Sequence, residues 1–322
     1  MIEKYNIPDI IEGAIAALPL DKEPAGLYLP ISYTLESGGK RLRPALAIAA
    51  AISCGAKPEQ VINQAIGIEM FHNFTLLHDD VMDRADMRRG RPTVHKKWND
   101  STAILSGDAM LTLASMLVTK DAGDKAPQAL ELFHTTAIEV YEGQQYDMDF
   151  EQRLDVTECE YIEMIRLKTA VLLSCACRMG AVMAGVDNSV TEAFDRYAVN
   201  LGLAFQLQDD YLDTYGDPLL FGKNIGGDIL NDKKTWLLIK ALEEDKSGQL
   251  HKLITDRHCD GDEKISAVKA IYDSLGLDRR CHSLIDKYAS CAVAALDSIE
   301  FRDEADKRFF TELAMKSTSR TH

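Results

Sequence analysis

The sequence predicts an all-α fold, a single large helical bundle around a central apolar cavity. Glycine and proline are scarce, at 20 and 9 of 322 residues, and aromatic residues make up only 7% of the chain, which favours helix over sheet. Apolar residues recur at helical spacing, as at Ile10, Ile11, Ile15 and Leu18. The sequence has no alternating runs bounded by hairpin turns, the pattern typical of strands. We therefore expect one all-helical domain over residues 1–322.

The periodic segments predict helices along most of the chain. In order, they cover residues 8–19, 26–37, 43–54, 57–83, 101–119, 126–147, 157–186, 189–214, 231–245, 263–275, 278–299 and 303–317. Glycine and polar residues mark the breaks between them, for example at Gly38-Gly39 and over 243–263. The central helices are too apolar on every face for surface helices, so we expect them in the core.

Composition and charge exclude several classes of protein. The 36 Lys and Arg residues against 51 Asp and Glu residues give a net charge of −15, which argues against a nucleic-acid surface. With 46% hydrophobic residues the chain is too apolar for disorder, and no uncharged stretch reaches the roughly 18 residues of a membrane span. The seven cysteines show no C-x-x-C pairing, so they predict neither a disulfide framework nor a zinc site. The first residues carry no secretory signal pattern, and we expect a cytoplasmic protein.

An aspartate cluster closes each of two long apolar segments. The first is His78-Asp79-Asp80-Val81-Met82-Asp83, and the second is Gln208-Asp209-Asp210-Tyr211-Leu212-Asp213. Helical residues four apart, such as Asp79 and Asp83, lie about 40° apart and one turn along, so their carboxylates project together. A solvated helix end explains one such cluster equally well. Two copies with the same D-D-x-x-D spacing favour a shared chemical role.

Six carboxylates repel one another unless cations neutralise them. Hard oxygen ligands favour Mg²⁺ with a phosphate as a further ligand, so the clusters predict a metal-bridged diphosphate as the bound molecule. Cationic segments support this prediction, because Arg and Lys side chains bind phosphate oxygens. These segments are Gly38-Gly39-Lys40-Arg41-Leu42-Arg43-Pro44, Arg88-Arg89-Gly90-Arg91-Pro92-Thr93, Lys168-Thr169, Gly222-Lys223 and Lys233-Lys234. Taken singly, each is also explained as a solvated surface cation.

In the order and spacing of its motifs, the sequence resembles the trans-isoprenyl diphosphate synthases, the head-to-tail polyprenyl transferases. The resemblance covers nearly the whole chain. Its motifs are G-G-K-R-L-R-P at 38–44, E-M-F-H at 69–72, H-D-D-V-M-D at 78–83, R-R-G-R-P-T at 88–93, K-T-A at 168–170, F-Q-L-Q-D-D-Y-L-D at 205–213 and G-K-N-I-G-G-D-I at 222–229. It implies the isoprenoid synthase type of helical fold, Mg²⁺ as cofactor, and a reaction in which an allylic diphosphate ionises and isopentenyl diphosphate adds to the resulting carbocation.

The resemblance also implies roles for individual residues. Its metal ligands fall on Asp79, Asp83 and Asp209, with Asp80, Asp210 and Asp213 as nearby or water-mediated partners. Its allylic-diphosphate ligands fall on Arg88, Lys168, Gln206, Lys223 and Lys233, and Thr169 lies with Lys168 and Gln206 beside the developing cation. Its isopentenyl diphosphate pocket falls on Lys40, Arg43, His72 and Arg89. A neutral core histidine is the alternative interpretation of His72, and we expect His78 to be structural.

Residues that precede Asp79 on the same helix bear on product length. Phe74 and Phe71 lie about 7.5 Å and 12 Å deeper along the helix, while Thr75 lies on the aspartate face. In the resembled family, a large side chain at the position of Phe74 shortens the product. The resemblance thus implies the twenty-carbon geranylgeranyl product, with the fifteen-carbon farnesyl product as the alternative. Because Phe74 is about 140° round from Asp79, ordinary core packing also explains it.

Other functions stay open at this stage. A class I terpene cyclase also uses an aspartate-rich helix, but it has no second substrate, and the segment 38–44 and the second cluster argue against it. A non-catalytic subunit of a heteromeric prenyltransferase tolerates loss of aspartates, yet all six are present. A purely structural helical protein is the last alternative. The resembled family is usually homodimeric, so the resemblance also implies a homodimer.

Overall fold

The computed structural model describes residues 2–217, 225–255 and 261–318. Helices form nearly all of the regular structure in these residues, so the predicted all-α fold is confirmed. Strands in the described residues are confined to β1 (Met87–Arg88) and β2 (Arg91–Pro92), an antiparallel pair in which Arg88 lies opposite Arg91.

The helices follow one another with short connections. In chain order they are α1 (Ile7–Ala16), α2 (Ala25–Leu35), α3 (Leu42–Ser53), α4 (Ile62–Met82), α5 (Val94–Lys97), α6 (Asp100–Thr119), α7 (Ala126–Glu151), α8 (Glu158–Ile165), α9 (Val171–Ala184), α10 (Asn188–Tyr215), α11 (Gly227–Leu230), α12 (Trp236–Glu244), α13 (Gln249–Thr255), α14 (Gly261–Ser274), α15 (Leu277–Ala295) and α16 (Glu304–Thr318). Short 3₁₀ helices cover Ile2–Lys4, Pro58–Gln60, Gly123–Lys125 and Leu296–Ser298, and a π-helical turn, Arg166–Ala170, joins α8 to α9.

The structure differs from the predicted elements at three points. The predicted helix over 157–186 is helical throughout Glu158–Ala184, but it contains the π-helical turn, which leaves the apolar pattern unchanged. The predicted break over 243–263 contains α13, whose one fully buried side chain, Leu250, gives too weak a helical period to detect in a polar stretch. The hairpin β1–β2 was not predicted, because strands of two residues are too short to show alternation.

The backbone groups into two compact units. Unit 1 comprises Met1–Thr136, Leu172–Asp195 and Glu300–Lys307, and unit 2 comprises Ala137–Val171, Arg196–Ile299 and Arg308–His322. The single domain over residues 1–322 stays a prediction.

Unit 1 has a core built on α3 and α4. α3 is rich in alanine and its side chains from Leu46 to Ile52 are almost completely buried. Small residues allow close approach on α4 as well, since a Cβ added at Gly67 would lie 2.9 Å from the carbonyl oxygen of Ala114 on α6. A Cβ at Gly107 of α6 would collide with the ring of His78. This close packing fixes the position of the C-terminal end of α4.

Unit 2 has its own apolar core, formed chiefly by α8, α10, α12, α14 and α15. Its fully buried members include Tyr161, Leu207, Leu250 and Ile285. α10 packs closely against the π-helical turn, because a Cβ at Gly202 would lie 2.5 Å from the backbone of Ala170. This packing places the second half of α10 beside the π-helical turn Arg166–Ala170.

Two helical stretches have the length and composition of membrane spans. Asp100–Thr119 is 33% buried over its most apolar window, and Glu158–Ala184 is 83% buried. The buried stretch is accounted for by packing inside the protein. The first stretch leaves apolar side chains exposed, among them Leu105 at 60% and Met116 at 62%.

Candidate active site

The first aspartate cluster lies at the C-terminal end of α4. Asp79 and Asp80 belong to the last turn, and Asp83 caps the helix, its backbone N–H donating to the carbonyl of Asp79 at 2.8 Å. The carbonyl groups at a helix end carry partial negative charge, so carboxylates at this position are unfavourable without a cation. The cluster is therefore placed to bind positive charge rather than to stabilise its helix.

Asp80 is the buried member of this cluster. It is 6% exposed, and one of its oxygens accepts a hydrogen bond from Nε of Arg88 at 2.7 Å. Burial raises the pKa of Asp80, although the charge of Arg88 opposes the shift. Asp79 is half-buried and Asp83 is exposed. The structure thus divides the cluster into one carboxylate paired with an arginine and two more accessible ones.

A group of cations lies elsewhere in unit 1, where the isopentenyl diphosphate residues are predicted. Nε of Arg43 is buried and has no hydrogen-bond partner. Burial, together with the charge of Arg89, lowers the pKa of Arg43 to about 10. Burial and the charges of four arginines, with Arg43 and Arg89 contributing most among them, lower the pKa of His72 well below its usual value. The structure therefore brings these three predicted residues together, with a neutral imidazole; Lys40 is exposed.

The turn of the hairpin β1–β2 carries Arg89. Arg89 and Gly90 both have positive φ, at 51° and 74°, as a tight two-residue hairpin turn requires. The guanidinium of Arg89 donates to the carbonyl of Gly38 and lies 3.4 Å from the hydroxyl of Ser37. A Cβ at Gly39 would approach this guanidinium to 2.8 Å. The glycine pair thus leaves room for Arg89 beside the backbone that precedes Lys40.

Arg41 has a different environment from the other cations of its motif. It is 7% exposed and bonds to carboxylates of Glu69 and Glu12, each at 2.9 Å. It also donates to the carbonyl of Leu35 at 2.6 Å. With these partners, Arg41 joins the start of α3 to neighbouring helices and is not available to a ligand.

The second aspartate cluster occupies the end of α10, and Asp210 is its buried member at 4% exposure. The hydroxyl of Tyr161 donates to its Oδ2 at 2.8 Å, and the amide of Gln206 donates to its Oδ1 at 2.9 Å. Nζ of Lys233 lies 3.6 Å from Asp210 and 3.5 Å from Asp228. The charge of Asp210 raises the pKa of Lys233, which therefore stays a cation.

Asp213 interacts with the segment that follows α10. Its Oδ2 accepts a hydrogen bond from the backbone N–H of Asp228 at 2.8 Å. Burial raises the pKa of Asp228 to about 7, with the charge of Lys233 opposing the shift. Asp209 is half-buried. Lys223, the other predicted ligand of this region, lies outside the described residues.

The π-helical turn carries the predicted pair Lys168 and Thr169. The hydroxyl of Thr169 donates to the side-chain oxygen of Gln206 at 2.8 Å, which links the turn to the second cluster. A Cβ at Gly143 of α7 would collide with the backbone of Lys168, so a glycine is required there for α7 to approach the turn. Turns of this type are frequent at functional sites. The structure brings Thr169 and Gln206 together, as the resemblance implies.

The predicted chain-length residues lie in the apolar part of α4. Phe74 is 6% exposed, and its ring centroid lies 4.7 Å from that of His78 and 5.5 Å from that of Phe71. His78 also contacts a backbone carbonyl of α6 at 3.1 Å, which fits the structural role expected for it. The hydroxyl of Thr75 donates to the carbonyl of His72 at 2.8 Å. Phe74 therefore belongs to an aromatic row along one face of the helix.

Comparison with known proteins identifies the family. The polyprenyl synthetase profile matches residues 24–275. The chain belongs to the polyprenyl synthetase family. It is 40% identical over 244 residues to a geranylgeranyl diphosphate synthase of Methanosarcina mazei, covering 75% of each chain. As a member of this family, it is a prenyltransferase.

Solved structures agree with this membership. A crystal structure of a geranylgeranyl pyrophosphate synthase matches with a TM-score of 0.92 and 42% identity, covering 100% of this chain and 99% of the other. A polyprenyl synthase of Caulobacter crescentus, crystallised with calcium and isoprenyl diphosphate, matches with a TM-score of 0.86 and 30% identity, covering 98% and 94% of the two chains. The isoprenoid synthase fold implied by the resemblance is therefore confirmed.

The carboxylates of this polyprenyl synthetase suit a hard divalent cation. Both clusters supply oxygen donors only, without cysteine or histidine ligands. Within residues 2–217, 225–255 and 261–318, no group of three or more His, Cys, Asp or Glu side chains could hold a metal ion. A cation at either cluster therefore needs oxygens from another source, such as a diphosphate or water.

The structure also shows a functional candidate that sequence reasoning missed. Asp147, near the end of α7, forms an ion pair with Nζ of Lys168 at 2.5 Å. Both side chains are partly exposed, at 22% and 32%. A search for D-D-x-x-D spacing does not find Asp147, because the carboxylates that follow it are Asp149 and Glu151. This run of acidic residues is the signal that was available in the sequence.

Proposed function

We propose that this prenyltransferase condenses isopentenyl diphosphate head-to-tail with allylic diphosphates and makes geranylgeranyl diphosphate. The observation that carries the proposal is the pair of D-D-x-x-D clusters, each at the C-terminal end of a buried helix, in a chain of the polyprenyl synthetase family. The relative from Methanosarcina mazei and the matching crystal structure are both named for the geranylgeranyl product.

Mg²⁺ is the proposed cofactor, and Asp79, Asp83 and Asp209 are the residues that would hold it. When bound, Mg²⁺ would stabilise the negative charge that develops on a departing diphosphate. The Caulobacter crescentus structure with calcium and isoprenyl diphosphate supports a divalent cation and a substrate of this class. The position of both clusters at helix ends also supports it, since a cation relieves the repulsion there.

The cations of the protein bind the diphosphate of the allylic substrate in this proposal. Arg88, Lys168, Gln206, Lys223 and Lys233 are its ligands. Arg88 and Lys168 now pair with Asp80 and Asp147, so each brings a positive charge that an incoming diphosphate can share. Thr169 and Gln206 orient each other and place their oxygens beside the cation that forms when the diphosphate leaves.

The isopentenyl diphosphate site comprises Lys40, Arg43, His72 and Arg89. Its cations repel one another, and the buried Nε of Arg43 lacks a hydrogen-bond acceptor. A buried donor without a partner costs free energy, and a diphosphate oxygen would both satisfy it and neutralise the charge. His72, held neutral by its burial and by these arginines, would donate one hydrogen bond to the diphosphate without adding charge.

Product analysis tests the reaction. The purified protein is incubated with Mg²⁺, isopentenyl diphosphate and one of the five-, ten- or fifteen-carbon allylic primers, and the dephosphorylated products are separated by chromatography. We expect a twenty-carbon alcohol from each primer. A fifteen-carbon product from the five- or ten-carbon primer, with the fifteen-carbon primer left unextended, would establish the farnesyl alternative. No product from any primer would favour a non-catalytic subunit. A cyclised hydrocarbon formed without isopentenyl diphosphate would favour a terpene cyclase.

Steady-state kinetics of two variants distinguish the two proposed diphosphate sites. Arg43→Ala should chiefly raise the KM for isopentenyl diphosphate, and Lys223→Ala should chiefly raise the KM for the allylic substrate, because each removes a phosphate ligand from one site. Changes of about tenfold or more are expected for the loss of one charged ligand. If both variants weaken binding of the same substrate, the assignment of the sites is wrong.

The proposal includes a homodimer in the cytoplasm. The exposed apolar residues of α6, Ile104, Leu105 and Met116, form a surface in unit 1 that a second copy of the chain would cover. Burying such side chains removes apolar area from water, which is the main driving force for association.

A further inference from the structure

Tyr33, in the last turn of α2, contacts the chain that follows the hairpin turn. Its hydroxyl donates to the carbonyl of Pro92 at 2.8 Å. The guanidinium of Arg91 lies 4.0 Å from its ring centroid, and Nζ of Lys97 lies 3.8 Å from it. The ring of Trp98 meets it edge-on at 5.3 Å. One half-buried tyrosine thus makes four contacts with a single segment of the chain.

These contacts fix one end of the hairpin that carries Arg88 and Arg89. Arg91 lies opposite Arg88 in the hairpin, and the carbonyl held by Tyr33 follows Arg91 directly. The other end is held by the bond from Arg88 to Asp80. Between them, Arg89 has a positive φ of 51°, a conformation that its own backbone preference does not favour. The turn therefore depends on contacts at both ends to stay in place.

Tyr33 also lies close in sequence to the other half of the cation group. α2 ends at Leu35, and the glycine pair beside the Arg89 guanidinium follows at 38 and 39. Tyr33 therefore links the helix that leads into the segment 38–44 to the hairpin. Its ring attracts the cations of Arg91 and Lys97 by a cation–π interaction, which holds them against α2 despite their mutual repulsion.

We infer that Tyr33 is a positioning residue for isopentenyl diphosphate, an inference that rests on the proposed function of Arg43 and Arg89. By holding the hairpin against α2, Tyr33 sets the position of the Arg89 guanidinium relative to the backbone of Gly38 and Gly39. In this role Tyr33 acts through the hairpin and not on the reacting atoms. Its loss should weaken binding of isopentenyl diphosphate and leave binding of the allylic substrate nearly unchanged.

The experiment compares steady-state kinetics of Tyr33→Leu, Tyr33→Phe and the matched control Tyr28→Leu, which changes a half-buried tyrosine on the same helix. We expect Tyr33→Leu to raise the KM for isopentenyl diphosphate by about tenfold and the KM for the allylic substrate by less than about twofold. Tyr33→Phe keeps the ring and its cation contacts and should recover most of the loss. Tyr28→Leu should leave both KM values unchanged.

The outcomes distinguish the inference from the function on which it rests. Equal changes in both KM values, or a lower melting temperature with both values unchanged, would show that Tyr33 is only structural. A raised KM for isopentenyl diphosphate in Arg43→Ala but not in Tyr33→Leu would overturn the inference alone. No change in Arg43→Ala would overturn the proposed site itself. Should Tyr33→Leu fail to fold, the triple variant Tyr33→Phe with Arg91→Met and Lys97→Met decides, because it removes the hydroxyl bond and both cation contacts but keeps the ring. An unchanged KM for isopentenyl diphosphate in this variant contradicts the inference.

Discussion

Asp79 and Asp209 sit where both neighbouring carboxylates and helix carbonyls oppose a negative charge. We predict that Asp79→Ala or Asp209→Ala lowers kcat by about a thousandfold or more at saturating Mg²⁺, because metal ligands are lost. Without ligands, the melting temperature should stay the same or rise, since like-charge repulsion is relieved. Asp108→Ala, an exposed aspartate on α6, is the control for kcat and melting. Turnover near that of the wild type in Asp79→Ala would refute the metal assignment.

His72 makes the unfolding free energy of the protein depend on pH. The folded protein holds the pKa of His72 well below its usual value, whereas the unfolded chain binds a proton near pH 6.5. Below that pH the unfolded state gains protons that the native state does not, so stability falls as pH falls. Between pH 7 and pH 5, we predict that the unfolding free energy falls by about 1 kcal/mol less in His72→Gln than in the wild type. This value is lower than that for a fully buried group, because the His72 side chain is partly exposed.

Urea titrations of the wild type and His72→Gln at pH 7 and pH 5 measure this difference. The acidic groups of the protein contribute equally to both proteins and cancel in the comparison. Parallel losses of stability in the two proteins would show that the imidazole is protonated in the folded state. The neutral histidine assigned to the cation group would then be wrong.

Phe74 is the residue on which the product length depends in our proposal. Phe74→Ala removes the ring that contacts Phe71 and His78, so space opens along α4 and the products should shift to more than twenty carbons. Chromatography of dephosphorylated products gives the measurement, with circular dichroism to establish folding. An unchanged product distribution in a folded, active variant would mean that Phe74 is ordinary core packing.

At the scale of the elements, the π-helical turn depends on the close approach of α7. Gly143→Ala places a methyl group against the backbone of Lys168, so the turn must move, and with it Lys168 and Thr169. We predict a loss of about 1–3 kcal/mol in unfolding free energy and a lower kcat/KM for the allylic substrate. The loss of stability and the lower kcat/KM both result from the displacement of the π-helical turn.

Gly13→Ala is the matched control for this substitution. Gly13 lies inside α1 with nothing within 4 Å of the added Cβ, so alanine should stabilise the protein by about 0.5–1 kcal/mol through helix propensity. Urea unfolding and steady-state kinetics of both variants check the contrast. If Gly143→Ala is as stable and active as Gly13→Ala, the π-helical turn does not depend on the close approach of α7.

At the scale of the whole molecule, we expect a homodimer formed through the exposed apolar face of α6. The double variant Leu105→Glu with Met116→Glu should be monomeric, because charged side chains cannot be buried there without partners. Light scattering after gel filtration should give about twice the 35.8 kDa chain mass for the wild type and 35.8 kDa for the variant. Leu154→Glu, also at an exposed leucine, is the control, and a monomeric wild type would contradict the proposal.

The fold class, the helices that end in aspartates and the family could all be predicted from the sequence. These follow from local patterns, because helical periodicity and D-D-x-x-D spacing are properties of residues within a few turns of one another. The resemblance to the family implied that Thr169 and Gln206 lie together, and the two side chains form a 2.8 Å hydrogen bond.

The partners of the charged residues could not be predicted from the sequence, because they depend on tertiary packing. Arg41 and Arg43 look alike in the motif at 38–44, yet one is bonded to two glutamates and the other has a buried Nε without a partner. The pairing of Asp147 with Lys168, and the contacts of Tyr33 with the hairpin, join residues far apart in sequence. Burial and partners depend on the packing of distant segments, and no local pattern in the sequence carries that information.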